Sequence, residues 1–290
     1  MEGKEGLVNA IVFYTNYKGH PLEDIYRLVK KFRENQRRIV WLVGDSSLDN
    51  KHWLFEEDKA TTTLSLENKW CAKAINGYEQ VLTPPRMVKD VCYWINTQLE
   101  NTDMVCVNAA VEEACLGDAP NAHDGFVLSH LKSGVFVIIS IGGNDLILKP
   151  SPSTLVSMGI GTYLIPNWCL NSALAWFPNP LYDLFVTRTQ EYVDLFFKAS
   201  RIVVCTPYFP CLSGGGWASR ILNQIDMDKA QTTIRYVHNQ YHKSLKGIFY
   251  ALPLYDVLDY KCEDDYKYRV EPSVQGGFKM GREIATICKK

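Results

Sequence analysis

The stretch Arg37–Asn50, RRIVWLVGDSSLDN, constrains this chain more than any other. Ile39–Val43 is a continuous apolar run with three β-branched residues, which is the length and composition of a fully buried strand. Gly44 breaks the run, and Asp45, Ser46, Ser47 and Asp49 follow. A small residue at a strand end lets the backbone turn sharply, and Asp or Ser can cap a following helix. In an open α/β sheet, ligands bind beyond the carboxyl ends of the strands. Ser46 therefore stands where a nucleophile would sit. On these residues alone, the simpler role of Asp45 and Ser47 as helix caps stays open.

Four further apolar runs read as strands: Met104–Asn108, Val135–Ile141, Ile202–Cys205 and Gly247–Leu252. Helical patterns fall between them, at Leu22–Arg37, from Thr83-Pro84-Pro85 through Gln98, Asp124–Lys132, about 181–198, 228–244 and 274–288. Strands alternating with helices imply an α/β fold of three layers around one doubly wound, five-stranded parallel sheet. The expected strand order is 2-1-3-4-5, with Ser46 and Asn144 at the carboxyl edge. The 290 residues are expected to form a single domain with insertions over about 51–85 and 151–180. The first is too long to be a plain crossover, which needs only about a dozen residues. The second carries no charged side chain and is rich in aromatics. It reads as a packed loop or as a lid, and the expectation is that it packs over Ser46.

With 47% hydrophobic and 22% charged residues the composition is that of a soluble globular protein, and a formal charge of −1 gives no reason to expect nucleic acid or an anionic membrane. No stretch approaches a membrane span, and the N-terminal apolar run is short, interrupted by Asn9 and flanked by Glu2 and Glu5. Nine cysteines without a CxxC pair read as reduced, mostly buried thiols in a cytoplasmic protein, Cys205 and Cys211 included. His238 and His242 share a helix face, but no third ligand is signalled, so no metal is expected, nor any cofactor.

Two strand ends carry polar residues in a recognisable set: Gly44-Asp45-Ser46-Ser47-Leu48 and Gly142-Gly143-Asn144-Asp145. Together they resemble the GDSL, or SGNH, hydrolase family, whose fold is a flavodoxin-like parallel sheet. The run from Val270-Glu271-Pro272-Ser273 to Gly281 is similar to that family's last block. The resemblance implies Ser46 as nucleophile, its N–H as one oxyanion donor, and the Asn144 side chain as another. A planar amide suits that task because it donates without carrying a titrating proton. Gly143, Asp45, Asp145 and Glu113 fall around them.

Two positions depart from the family's pattern. Glu113 stands where the family has a glycine that offers its N–H to the oxyanion. Glu271 stands in place of the catalytic histidine, and Tyr268 in place of its aspartate. A serine hydroxyl needs a base, and an ordinary glutamate near 4.3 is a weaker one than histidine near 6.5. Burial, or Glu113 and Glu271 facing one site, would raise it. Alternatively Glu271 pairs with Arg269, Lys279 or Arg282. His52, six residues past Ser46, is the reserve base; His20, His123 and His130 lie elsewhere along the chain. The leading expectation is hydrolysis or transfer of an acyl or carbohydrate ester through acyl-Ser46. The rival is an inactive binding protein that has lost the histidine–aspartate pair. A third reading is a site in which the two glutamates hold a cation or an amine.

Overall fold

A computed structural model describes residues 6–55, 69–132, 135–149, 182–199 and 201–290. The expected lid at 151–180 lies outside these residues, as does part of the first insertion, 56–68. The central sheet is built from β1 (Arg38–Gly44), β2 (Met104–Asn108), β3 (Phe136–Ser140), β4 (Arg201–Thr206) and β5 (Tyr250–Pro253). All neighbours are parallel, in the order β2-β1-β3-β4-β5. This is the expected 2-1-3-4-5 order, with the chain reversing its direction of travel between β1 and β3.

Alternation along the strands separates two apolar layers. Ile39, Trp41 and Val43 face one side with Val105, Val107, Val137, Ile139, Ile202 and Val204. Val40, Leu42, Cys106, Ile138, Val203 and Cys205 face the other. Helices α1 (Leu22–Glu34), α3 (Ala122–His130), α4 (Thr189–Leu195) and α5 (Met227–Ser244) cover the first face. Helices α2 (Val91–Leu99) and α6 (Val274–Cys288) cover the second and pack on each other. With both faces covered, each strand is buried almost throughout, which is why the strands read as unbroken apolar runs. Among the described residues, no helix is long and apolar enough to cross a membrane.

Three of the boundaries that differ from expectation have a local backbone cause. The helix expected from Thr83 begins only at Val91, where the Asp90 side chain accepts the Tyr93 N–H. Thr83 and Pro84 each precede a proline, which pushes them away from helical angles. The chain there is extended instead: Leu82–Thr83 pairs with Val8–Asn9, and Arg86–Val88 pairs with Cys71–Lys73. The fifth strand starts at Tyr250 rather than Gly247, whose φ of +75° marks a bend after α5. The first helix stops at Glu34, and Gln36 takes a φ of +57° before β1. The eight described cysteines are free thiols, seven of them buried, so they serve packing; Cys205 and Cys211 both lie in the second apolar layer.

Gly44 fixes the exit from β1. Its φ is +121°, and an added Cβ would fall 1.8 Å from the Ser140 carbonyl oxygen of the adjoining strand. Backbone, not a flexible side chain, occupies that space. Gly44→Ala is therefore expected to unfold the protein or separate β1 from β3 at their ends, read as loss of a cooperative thermal transition. Gly125→Ala, where nothing lies within 4 Å, should leave that transition in place.

Candidate active site

The turn after β1 is closed by its own backbone. Asp45 N–H donates to Ser140 O at 2.9 Å, and Leu48 N–H and Asp49 N–H return to Asp45 O. The Asp45 carboxylate accepts the Ser47 N–H at 3.0 Å and the Ser47 hydroxyl at 2.6 Å. Ser47 in turn lies 2.6 Å from the Ser140 hydroxyl. Asp45 thus holds the turn's shape rather than facing a substrate. Burial, opposed by the hydrogen bonds from Ser47, pushes its pKa up to about 6.

Ser46, left free of that internal network, donates its hydroxyl to Glu271 Oε1 at 3.2 Å. Both side chains are buried, Ser46 at 6% and Glu271 at 5% exposure, so the contact is shielded from water. The second carboxylate oxygen, Glu271 Oε2, is buried with no hydrogen-bond partner among the described residues. Burial raises the Glu271 pKa to about 8; the Ser46 hydrogen bond opposes this, and the charges of Asp45 and Glu112 add to it. Each cation that might have neutralised Glu271 is engaged elsewhere. Arg269 donates to Cys211 O, Leu212 O and Asn223 Oδ1, Lys279 pairs with Asp265, and Arg282 pairs with Glu283.

A tight hairpin delivers Glu271. Strand Tyr266–Lys267 pairs antiparallel with Glu271–Pro272, and Val270 N–H donates to Lys267 O. The two central residues, Tyr268 and Arg269, have φ of +50° and +72°, as a type I′ turn requires. Such turns favour Asn-Gly, so the three hydrogen bonds of Arg269 hold a conformation its own side chain disfavours. Ser273 then caps α6, accepting the N–H groups of Gln275 and Gly276. Buried Asn50 joins the two halves of the site: its amide donates to Pro272 O at 2.9 Å and accepts the Val91 N–H at 3.0 Å.

Asn144 opens a short helix after β3, at the same sheet edge as Ser46, because β1 and β3 are paired through Gly44 and Ser140. Its amide donates one hydrogen to Ala114 O at 3.0 Å. Gly143, just before it, passes beside the Asp45 carboxylate. Asp145 accepts the N–H groups of Leu116 and Gly117, so it ties the segment after β2 to the segment after β3. Glu113 retains the left-handed backbone that a glycine would supply, with φ of +62°. Its carboxylate turns outward, accepting the Tyr17 hydroxyl at 2.7 Å and pairing with Lys18 at 3.1 Å. The glutamate whose charge reaches Glu271 is Glu112.

Glu112 belongs to a buried ionic knot that the sequence reading missed. Lys51, fully buried, lies between Asp49 and Glu112, 2.5 Å and 2.7 Å away. Glu112 also accepts the Gly19 N–H, and Asp49 accepts from Asn108. Burial alone would discharge the lysine, but the two carboxylates outweigh it and keep its pKa raised. His20, Asp49 and Asp90 bring ligand atoms within 4.8 Å of one another, and the Lys51 ammonium supplies the positive charge beside them. His20 lies 2.7 Å from Phe13 O through Nδ1, and burial keeps it neutral. His123, His130 and His238 each spend a ring nitrogen on His20 O, Phe126 O and the Thr206 hydroxyl. His52 lies on the short helix Lys51–Phe55, its ring 4.5 Å from that of Tyr17 and 5.2 Å from that of Trp53.

No protein-family model and no curated protein match this chain. Solved structures do. It is similar to Est24, a carbohydrate acetylesterase from Sinorhizobium meliloti, at 14% identity over 86% of this chain and 97% of that one, with a TM-score of 0.48. A member of the lipolytic G-D-S-L family from Veillonella parvula matches at 9% identity over 87% and 99%, with a TM-score of 0.48. Axe2, an acetylxylan esterase from Geobacillus stearothermophilus, matches at 12% identity over 87% and 94%, with a TM-score of 0.45. These are likenesses of fold; the chemistry of the site rests on the side chains described above.

Removing the Lys51 ammonium would strand the Glu112 carboxylate, which it holds ionised against burial, beside Asp49, whose pKa burial and Glu112 already raise. Breaking a buried ion pair from one side costs about 3–5 kcal/mol. Lys51→Met should lower the urea midpoint accordingly at pH 7, and should lose less at pH 5, where the carboxyls can take up protons.

Proposed function

We propose that the chain is an ester hydrolase or acyltransferase working through acyl-Ser46, within one domain spanning the sequence. The hydrogen bond from Ser46 to Glu271 carries this reading. As the Ser46 oxygen attacks the ester carbonyl, its proton passes to Glu271. The Ser46 N–H and the second amide hydrogen of Asn144 are the candidate donors to the oxyanion, the first hydrogen being spent on Ala114. Collapse of the tetrahedral species expels the alcohol, which takes the proton from Glu271. Water, or a second alcohol, repeats the sequence to release the acyl group. Glu271 suits the part because its burial makes it a stronger base than a solvated carboxylate, and no cation pairs with it among the described residues. The GDSL and acetylesterase neighbours share the fold on which such a site would be built.

The binding-protein reading is favoured by a different observation. Among the described residues Glu271 Oε2 has no partner, so none of them orients the carboxylate as aspartate orients histidine in a triad. The pH profile separates the two. A base that titrates near 8 is about one-tenth ionised at pH 7. Activity on p-nitrophenyl acetate should rise nearly tenfold per pH unit up to about 8 and then level, and Glu271→Gln should reduce it by about 10²–10⁴-fold. A wild type silent at pH 9, with no acyl-enzyme burst, decides for the binding protein.

Stability gives a second, independent readout. The folded pKa of Glu271 lies above its unfolded value, so the folded state holds more protons between about 4.3 and 8. Its contribution is fully present below that window and is lost as pH rises through it. Glu271→Gln should therefore gain thermal stability relative to wild type as pH goes from 5 to 8. A difference in melting temperature that does not change with pH would contradict the raised pKa.

A further inference from the structure

An arc of aromatic rings joins the segment after the Ser46 turn to the hairpin that carries Glu271. Trp53 follows the nucleophile turn by seven residues, and its ring lies 5.9 Å from that of Tyr268, at the tip of the hairpin carrying Glu271. Trp217 stacks on Trp53 at 6.2 Å with planes 27° apart. On the other side His52 links Trp53 to Tyr17, whose hydroxyl is fixed by Glu113. We propose that this arc is a subsite for a pyranose ring in the alcohol part of the substrate, closed by Trp217 as a movable flap. The assignment of an alcohol part rests on the ester-hydrolase reading; the ring-binding surface does not.

Three observations support it. First, Trp217 is exposed and follows Gly214-Gly215-Gly216, two of which have positive φ. A Cβ at Gly216 would sit 2.6 Å from that of Tyr268, so the loop backbone lies directly on the Tyr268 ring. Arg269 holds the loop near both ends, through Cys211 O and Leu212 O on one side and Asn223 on the other. The result is a glycine-rich span held near both ends, with an indole on it. Second, the Trp53 indole N–H is buried and meets no acceptor among the described residues. If the Trp217 ring lifts, that donor can reach a ligand hydroxyl. Third, the charges beside the arc do not call for a cation: Lys18 answers Glu113, and burial favours the neutral form of Glu271. A neutral ligand with a face of C–H groups and a rim of hydroxyls fits. The C–H groups meet the negative faces of the indoles, and a hydroxyl meets the free N–H.

The test uses Ser46→Ala, which cannot turn substrate over, titrated by indole fluorescence with β-1,4-linked tetramers of glucose, xylose and mannose, and with choline. At least one tetramer should change the emission and choline should not. In the same background Trp217→Ala and Trp53→Ala should each weaken that binding about three- to tenfold, and Trp217→Phe should keep most of it. Trp217 is exposed, so its loss leaves the core intact; circular dichroism checks this. Binding of choline alone, of no tetramer, or of a tetramer equally well by both tryptophan variants would overturn the subsite. Wild-type cleavage of p-nitrophenyl acetate without tetramer binding leaves the hydrolase standing and removes the subsite. Tryptophan-dependent tetramer binding without ester cleavage does the reverse.

Discussion

Lys51 is the charge on which the site's geometry hangs. Its ammonium, closed off from water, draws together the turn after β1 through Asp49 and the turn after β2 through Glu112. Glu112 extends the knot to the Gly19 N–H, and Asp49 extends it to Asn108 at the end of β2. Three chain segments that approach from different directions thus share one ion pair network. Such a network is a poor source of net stability, because desolvation offsets most of the attraction. It is an effective source of register. The segments cannot slide past each other without pulling a buried charge away from its counter-charge.

Glu271 is governed by the same electrostatics with the opposite outcome. Lys51 lies with Asp49 and Glu112, and Arg269 is committed to two backbone carbonyls and Asn223, so among the described residues Glu271 receives a hydroxyl and no cation. A carboxyl in that position is inclined to stay protonated, and it becomes a strong base once ionised. Histidine would reach the same end from the other direction, as a base neutral at rest. On taking a proton a histidine goes from neutral to cation, whereas a glutamate goes from anion to neutral, so a glutamate makes each state one unit more negative. It also makes Asp45 and Glu112, which would steady an imidazolium, the groups that resist ionisation of the base.

Much of this was legible in the sequence, for identifiable reasons. Strands buried on both faces announce themselves as apolar runs, and the topology follows from their alternation with helices. The partnership of Ser46 with Glu271 was legible because Pro272-Ser273 and the glycines after it fix the register of the last block. Glu113 was legible as a departure but not in its direction: nothing in the local sequence tells that Tyr17 and Lys18, almost a hundred residues earlier, turn its carboxylate outward. Lys51 was invisible. A lysine after an Asp-rich turn reads as solvated, and only the fold shows that Glu112 comes to meet it. The Pro84-Pro85 pair misled because proline opens helices and breaks them, and here the second effect prevails.

The hairpin tip has a consequence for anyone altering this protein. Tyr268 and Arg269 both occupy left-handed backbone, which costs about 1–2 kcal/mol for each side-chain-bearing residue. Directed evolution for heat tolerance would find that reserve early, since Asn-Gly at the tip removes the strain. The exchange would delete the guanidinium that fastens the glycine loop and the phenol ring on which it rests. Thermal robustness and the shape of the aromatic wall are thus opposed at two adjacent residues, and a library screened only for melting temperature would drift away from the native site.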